Sequence, residues 1–153
     1  MIGLYLHIPF CLSKCPYCDF YSLPYTDERA ERYVQALERA ILTSPAAGEP
    51  VDSIYFGGGT PVLLGERLCA VLQMLRRRFA VAPDSEVTLE ANPAAMGYSQ
   101  LRALHEGGFN RISMGVQSAS DGELRTLGRL HSFAQAQESV RMAQAAFKMS
   151  RLI

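Results

Sequence analysis

Three cysteines stand close together near the start of the chain. They follow the spacing Cys11-x-x-x-Cys15-x-x-Cys18, which places three soft thiolates within one short loop. Iron–sulfur clusters favour thiolate ligands, and three protein ligands on four irons leave one iron open to a small molecule. The spacing therefore favours a [4Fe–4S] cluster bound by the three cysteines.

Zinc is the main alternative to an iron–sulfur cluster. A structural zinc site takes four ligands, and here the fourth could only be His7 or the distant Cys69. Cys69 lies in an apolar stretch, where a packed thiol is more common than a ligand. Unligated thiols are the remaining alternative, although Lys14 should modestly favour the thiolate forms of its neighbours.

Further polar and glycine-rich motifs follow three strand-like runs. The motifs are Gly57-Gly58-Gly59-Thr60-Pro61, Glu90-Ala91-Asn92-Pro93 and Gly115-Val116-Gln117-Ser118. In parallel α/β sheets, the carboxyl ends of the strands form the edge that carries the active site. Taken singly, each motif also has an ordinary interpretation: a tight turn, a surface carboxylate or a loop amide. The glycine run lacks the lysine of a phosphate-binding loop and the spacing of a dinucleotide fingerprint.

The apolar pattern predicts strands and helices in alternation. Strands are predicted over residues 4–8, 53–56, 86–89 and 111–114, the third of them beginning after Pro83. Between and after them, helical stripes and capping signals predict helices that begin after Thr26, near Leu64, at Ser99, after Ser120 and after Ser132. This order predicts one α/β domain with about four parallel strands and outer helices.

The bulk composition limits the class of protein. Fifteen basic and fifteen acidic residues cancel, so no net charge steers the chain to nucleic acid. No apolar run is long enough to span a membrane, and no signal peptide is visible, so we expect a cytoplasmic protein. Cysteines are kept reduced in the cytoplasm, which favours a metal-binding or catalytic role for the cysteine cluster.

The ordered set of motifs resembles the oxygen-independent coproporphyrinogen III oxidase-like group of radical S-adenosylmethionine (SAM) proteins. The resemblance covers residues 1 to about 147. The segments that carry it are residues 4–11, Cys15-Pro16-Tyr17-Cys18, residues 56–61, residues 89–93, residues 111–118 and Leu127-Gly128-Arg129-Leu130-His131.

This resemblance implies a partial (βα) radical SAM barrel with two cofactors, a [4Fe–4S] cluster and SAM. It implies Cys11, Cys15 and Cys18 as cluster ligands. The SAM contacts that it implies are Tyr5, Tyr17, Gly58, Gly59, Thr60, Glu90, Gln117 and Arg129. In such proteins the reduced cluster gives one electron to SAM, releasing methionine and a 5′-deoxyadenosyl radical. A donor such as a flavodoxin or ferredoxin supplies that electron, and the cofactors perform the chemistry.

One departure distinguishes two branches of the group. Oxidases proper carry a further cysteine two residues after the third, and this chain has Phe20 there. Phe20 matches the haem chaperone (HemW-like) branch, whose partner is a tetrapyrrole or haem. The alternative is a true oxidase, which decarboxylates two propionate side chains of coproporphyrinogen III.

The length of the chain is the second departure, because a complete βα barrel needs roughly 200 residues or more. We therefore expect residues 1–153 to be the N-terminal part of a radical SAM core domain. On this expectation the chain stops before the barrel closes, and the C-terminal domain, with any haem motif, is absent. Residues 148–153 do not continue the family pattern. A cluster-binding fragment without turnover, with a free sheet edge prone to association, is the corresponding alternative.

Overall fold

The computed structural model of the protein describes residues 1–147. Residues 148–153, which are expected not to continue the family pattern, lie outside the described residues. Six strands, five α-helices and a short 3₁₀ turn at Pro61–Leu64 are present in the described residues. In chain order the strands and α-helices are β1 (Ile2–Ile8), β2 (Phe10–Cys11), β3 (Leu23–Pro24), α1 (Asp27–Leu42), β4 (Pro50–Gly58), α2 (Arg67–Arg78), β5 (Ala80–Ala91), α3 (Tyr98–Glu106), β6 (Arg111–Met114), α4 (Asp121–Thr126) and α5 (Phe133–Phe147).

Strands β1, β4, β5 and β6 form one parallel sheet in that order. The register pairs Tyr5 with Tyr55, and Leu89 with both Phe56 and Ile112. All four carboxyl ends therefore meet at one edge of the sheet. The expected α/β fold with four parallel strands is confirmed, and within residues 1–147 the sheet is open rather than closed into a barrel.

The two faces of the sheet differ in chemistry. Strand residues on one face are fully buried with the helices and the 3₁₀ turn in one core, which includes Ile8, Ile54, Phe56, Val87, Leu89, Ile112, Leu64, Leu68, Leu72 and Leu104. Burying one such side chain contributes about 1.5–3 kcal/mol. Because side chains alternate along a strand, the opposite face carries polar and aromatic residues such as Tyr5, Tyr55 and Glu90.

Side-chain caps begin three of the helices where the sequence predicts them. Thr26 accepts a hydrogen bond from the Arg29 N–H at 3.2 Å, ahead of α1. Ser120 accepts from the N–H of the third residue of α4, as its capping signal predicts. Before α5, the Gln135 N–H donates to Ser132 Oγ at 3.2 Å, and the Ser132 N–H donates to Gln135 Oε1 at 2.9 Å. These local signals place the helix starts because each cap satisfies an otherwise unpaired N–H.

The third strand of the sheet begins earlier than predicted. It includes Pro83, after which the sequence pattern placed its start. Its register with β4 passes from the pair Val51–Val81 directly to Ser53–Glu86, so residues 82–85 stand outside the regular pairing. Proline cannot donate to a sheet ladder, and at this irregularity no donor is needed. Pro83 therefore interrupts the strand without ending it.

The apolar stripe from Leu64 also differs from a single helix. Residues Pro61–Leu64 form the 3₁₀ turn, and α2 begins only at Arg67. Between them Gly65 has φ of 55°, a left-handed conformation that breaks the α-helical path. The stripe stays on one buried side because both pieces pack against the same core.

None of the helices within residues 1–147 combines the length and the apolar character needed to cross a membrane.

Candidate functional site

The cysteine loop is held at the carboxyl edge of the sheet by a small ladder. Strand β2 pairs with β3, so that Phe10 lies beside Leu23 and Cys11 beside Pro24. A turn inside the loop is closed by the Cys18 N–H, which donates to the Cys15 carbonyl at 3.0 Å. All three thiols of the loop are free and half-buried. The ladder thus holds the two ends of the loop together at the carboxyl edge of the sheet.

One cavity of about 280 Å³ opens between this loop and the sheet edge. The three cysteines line it together with most of the other residues that the sequence predicts for the site: Tyr17, Gly58, Gly59, Glu90, Gln117 and Arg129. The topology explains this convergence, because each of these residues lies in the loop or at the end of a parallel strand, or in the later segment that folds back over that edge.

Thr60 and Tyr5 lie beside this cavity rather than in its wall. Thr60 is buried and lines an adjoining cavity of about 210 Å³, which also includes Cys15. Tyr5 is 58% exposed, and its hydroxyl lies 3.1 Å from His7 Nδ1. Partial burial, followed by the nearby Glu90 carboxylate, raises the pKa of Tyr5.

Glu90 presents a fixed carboxylate at the end of β5. One of its oxygens accepts from the Tyr55 hydroxyl at 2.6 Å, and the other accepts from the Gly58 N–H at 3.0 Å. Burial, followed by the hydrogen bond and charge of Glu90, raises the pKa of Tyr55. Each carboxylate oxygen retains a further acceptor site for a ligand donor. Sequence reasoning missed Tyr55, although strand alternation places it on the same face as Gly57.

Arg129 brings a positive charge to the same cavity. Its Nη2 donates to Asn92 Oδ1 at 2.6 Å and to the Gly115 carbonyl at 2.8 Å. Its Nη1 lies 3.6 Å from Cys15 Sγ and 3.4 Å from the Tyr17 hydroxyl. The buried Nε has no partner within residues 1–147, which is the kind of unfilled donor that a bound anionic group satisfies.

The segment that carries Arg129 approaches the cysteine loop closely. Gly128 has φ of 67°, and a Cβ at this position would lie 2.8 Å from Pro16 Cδ. A larger residue would therefore push this segment away from the loop. Gly128 allows a residue far along the chain to reach the thiol of Cys15.

The glycine run after β4 packs against its own chain. Gly58 has φ of 112°, and a Cβ there would lie 2.7 Å from the His7 ring. At Gly59 a Cβ would lie 2.5 Å from the Phe10 carbonyl oxygen. The N–H groups of Gly58, Gly59 and Thr60 all donate within the protein. The backbone of these three residues can therefore meet a ligand only through its carbonyl acceptors, which suits an ammonium group rather than a phosphate.

Comparison with known proteins decides the family. The sequence profile of the Radical SAM superfamily matches residues 5–153. The chain belongs to the radical SAM superfamily. Proteins of this superfamily use SAM together with a [4Fe–4S] cluster, and in this chain three thiols lie beside one cavity.

Three curated relatives show which members of the superfamily this radical SAM chain is similar to. Heme chaperone HemW of Escherichia coli K12 is 38% identical over 149 residues, covering 93% of this chain and 39% of the relative. Heme chaperone HemW of Mycobacterium tuberculosis H37Rv is 43% identical over 143 residues, covering 88% and 36%. The mitochondrial radical S-adenosyl methionine domain-containing protein 1 of Bos taurus is 41% identical, covering 95% and 34%. The chain thus spans between a third and two fifths of the length of these relatives.

Solved structures confirm the radical SAM fold. Coproporphyrinogen III oxidase (HemN) from Escherichia coli superposes with a TM-score of 0.85 at 31% identity, covering 94% of this chain and 34% of that chain. The structure of anSMEcpe with bound AdoMet superposes with a TM-score of 0.56 at 18% identity, covering 94% and 41%, and supports the fold alone. The resemblance that the motifs indicate is therefore confirmed at the level of sequence and fold.

The arrangement of the thiols suits a cluster better than a single metal ion. Within residues 1–147, no three side chains of His, Cys, Asp or Glu converge closely enough to hold one ion. Zinc requires such convergence, whereas a four-iron cluster takes each thiolate on a separate iron. Three half-buried free thiols around one cavity therefore fit a [4Fe–4S] cluster.

The two candidates for a fourth zinc ligand are engaged elsewhere. His7 Nε2 lies 3.0 Å from the Tyr21 carbonyl, and its other ring nitrogen faces the Tyr5 hydroxyl. Cys69, on α2, packs so closely on Gly107 that a Cβ there would lie 2.3 Å from its sulfur. Burial raises the pKa of Cys69, as expected for a packed thiol.

Gln117 lines the cavity in an unusual backbone conformation. Its φ of 72° lies in the left-handed region, which a non-glycine residue rarely adopts. Such a conformation costs of order 1–3 kcal/mol and tends to occur at functional sites. A Cβ on Gly115 would lie 3.0 Å from Gln117 Nε2, so Gly115 leaves room for the amide.

Proposed function

We propose that Cys11, Cys15 and Cys18 hold a [4Fe–4S] cluster and that SAM binds in the same cavity. The observation that carries this proposal is the convergence of the three thiols with Glu90 and Arg129 around one cavity of about 280 Å³. Glu90 lies at the end of β5 and Arg129 in the connection from α4 to α5, and both line this cavity, so that a zwitterionic ligand can meet both of them. When bound, the cluster and SAM supply reductive cleavage of the SAM sulfonium.

The residues of this chain orient the ligand. The Glu90 carboxylate, already fixed by Tyr55 and Gly58, accepts from an ammonium group or from ribose hydroxyls. The Arg129 guanidinium supplies a fixed positive charge for a carboxylate. Tyr17, Gln117 and Gly59 line the cavity wall, while Thr60 and Tyr5 lie beside it. No protein residue is proposed as a catalytic acid or base.

We further propose that the chain corresponds to the N-terminal part of the radical SAM core of its relatives and acts in haem metabolism. Its similarity to proteins named heme chaperones supports this role, as does Phe20 at the position where oxidases carry a cysteine. Haem or a tetrapyrrole would be the partner in this role. In this proposal the protein acts in the cytoplasm, and an electron donor such as a flavodoxin or ferredoxin reduces the cluster.

Anaerobic reconstitution tests the cluster assignment. We expect about four irons and four sulfides per chain, and near-complete loss of iron when Cys11, Cys15 and Cys18 are replaced by alanine. The matched control is Cys69→Ala, which removes a packed thiol and leaves iron content unchanged. A triple variant that retains its iron would rule out the cluster assignment.

Adding SAM to the reduced, loaded protein tests the second cofactor. We expect the electron paramagnetic resonance spectrum of the cluster to change, and Glu90→Gln to require a higher SAM concentration for the same change. An unaltered spectrum at saturating SAM would contradict SAM binding.

The oxidase alternative predicts a different product. If protein supplied with SAM, a reductant and coproporphyrinogen III forms protoporphyrinogen IX, the oxidase alternative is supported. Haem binding without that product favours the chaperone role. The fragment alternative predicts cluster loading without 5′-deoxyadenosine.

A further inference from the structure

Asn92 lies at the centre of a hydrogen-bond chain around the cavity. Its Oδ1 accepts from Arg129 Nη2 at 2.6 Å, and its Nδ2 donates to Thr60 Oγ1 at 2.8 Å. A guanidinium can only donate, so the amide oxygen must face Arg129 and the amide nitrogen must face Thr60. The orientation of the Asn92 amide is thereby determined by its partners.

This orientation sets the direction of the next hydrogen bond. Thr60 Oγ1 already accepts from Asn92, and its single proton is free to point elsewhere. Thr60 Oγ1 also lies 3.8 Å from Cys11 Sγ, which can accept that proton. The Thr60 hydroxyl therefore donates towards the Cys11 sulfur.

A second donor reaches a different cysteine of the loop. Arg129 Nη1 lies 3.6 Å from Cys15 Sγ, and the same guanidinium is held in place by Asn92. The structure gives Cys18 Sγ no comparable side-chain donor within residues 1–147. Asn92 thus organises donors on two of the three thiols through two different neighbours.

We propose that Asn92 is a positioning residue that raises the reduction potential of the cluster by holding Thr60 against Cys11 and Arg129 against Cys15. The inference rests on the proposed cluster site. Reduction adds negative charge to a cluster, and hydrogen bonds or a cation at its thiolates stabilise that charge. Asn92 touches neither sulfur itself and acts through its two neighbours.

The test is the midpoint potential of the reconstituted cluster, followed by electron paramagnetic resonance during a redox titration without SAM. We expect Asn92→Ala to lower the potential while iron and sulfide content stay at the wild-type level. Asn92→Asp should lower it as well, since a carboxylate cannot donate to Thr60 and draws the hydroxyl proton away from Cys11. The matched control is Ser113→Ala, which lines the same cavity and should leave the potential unchanged.

Two Thr60 variants test the route from Asn92 to Cys11. Thr60→Val removes the hydroxyl with little change in shape and should lower the potential, whereas Thr60→Ser keeps a hydroxyl and should stay near the wild-type value. Because Asn92 acts partly through Thr60, the shift of the Asn92→Ala/Thr60→Val double variant should be smaller than the sum of the single shifts.

The possible outcomes distinguish a failure of the proposed cluster site from a failure of the positioning role of Asn92. If the wild type loads no cluster, the proposed function fails. If clusters load but both Asn92 variants keep the wild-type potential, the positioning role is overturned and the cluster assignment stands. Loss of loading in both Asn92 variants also overturns that role, since it would make Asn92 necessary for cluster assembly.

Discussion

Glu90 and Arg129 bring opposite charges to one cavity, and protein groups hold both of them. Two donors fix the carboxylate, while Asn92 and the Gly115 carbonyl fix the guanidinium. Side chains that are already ordered lose little conformational entropy when a ligand binds. At the scale of single residues, the two charged groups are therefore held in place before any ligand binds, as the proposed SAM site requires.

The variant Gly59→Ala tests how closely the glycine run packs against Phe10 at the carboxyl edge of the sheet. Replacing it with alanine places a Cβ 2.5 Å from the Phe10 carbonyl oxygen. Because backbone must shift to relieve this contact, we expect Gly59→Ala to lower the free energy of unfolding by about 1–3 kcal/mol. Urea denaturation measures the change.

Gly122→Ala is the matched control for Gly59→Ala. Gly122 lies within α4, and its nearest contact to an added Cβ is Ser120 Oγ at 3.6 Å, an ordinary distance. Alanine should stabilise the protein there by about 0.5–1 kcal/mol. Equal unfolding midpoints for the two variants would contradict the tight packing at Gly59.

At the scale of elements, two connections bring predicted site residues to the sheet edge. The β2–β3 ladder holds the cysteine loop, and the connection from α4 to α5 carries Arg129 and His131. The buried His131 places Nε2 3.2 Å from the Val116 carbonyl, in the segment after β6. A ring N–H donated to that carbonyl ties the two segments together, and so helps to position Arg129.

Burial lowers the pKa of His131 below its ordinary value of 6.5, and the neighbouring Arg129 charge acts in the same direction, although the Val116 hydrogen bond opposes them. The unfolded chain therefore takes up a proton at a higher pH than the folded chain. His131 contributes stability above its ordinary pKa, and that contribution is lost as pH falls through the folded-state pKa.

We expect the free energy of unfolding of the wild type to fall more steeply below about pH 6.5 than that of His131→Gln. Urea denaturation of both proteins across this range measures the difference. The variant keeps a side-chain donor for Val116 and lacks the titrating ring, so it serves as its own structural control. Parallel pH profiles would remove His131 as the cause.

At the scale of the whole molecule, the described chain is an open sheet with a helix-covered apolar face and a polar face. Strands β4 and β5 each have a neighbour on both sides, whereas β1 and β6 each have one. Amides that are paired within a covered sheet exchange with solvent only after larger openings of the fold. The two central strands should therefore be the most stable part of this molecule.

Hydrogen exchange measured by mass spectrometry tests this ranking. We expect the slowest exchange in β4 and β5 and faster exchange in the short strand β6. If the free side of β6 pairs with a second copy, its protection should increase with protein concentration. Protection of β6 equal to that of β4 in dilute protein would contradict the ranking.

Local patterns predicted much of the fold. The structure confirms the Thr26 cap, the Ser120 and Ser132 capping signals and strand β6. Each of these features depends on residues near one another in sequence. The predicted start of β5 was wrong because Ala80 and Val81, ahead of Pro83, already pair with β4, and pairing between strands is a tertiary property. The site roles predicted from the motifs remain predictions, although the structure brings most of those residues to one cavity.

The sequence by itself determined the three closely spaced thiols, the alternation of strands and helices, and the ordered motifs of the radical SAM superfamily. Each of these depends on residue type and local spacing. Only the tertiary structure decided that Arg129 reaches Cys15, that Tyr55 fixes Glu90, and that Asn92 joins Arg129 to Thr60. The physical reason is that these contacts join separate strand ends and loops, and a parallel sheet brings such segments together only when it folds.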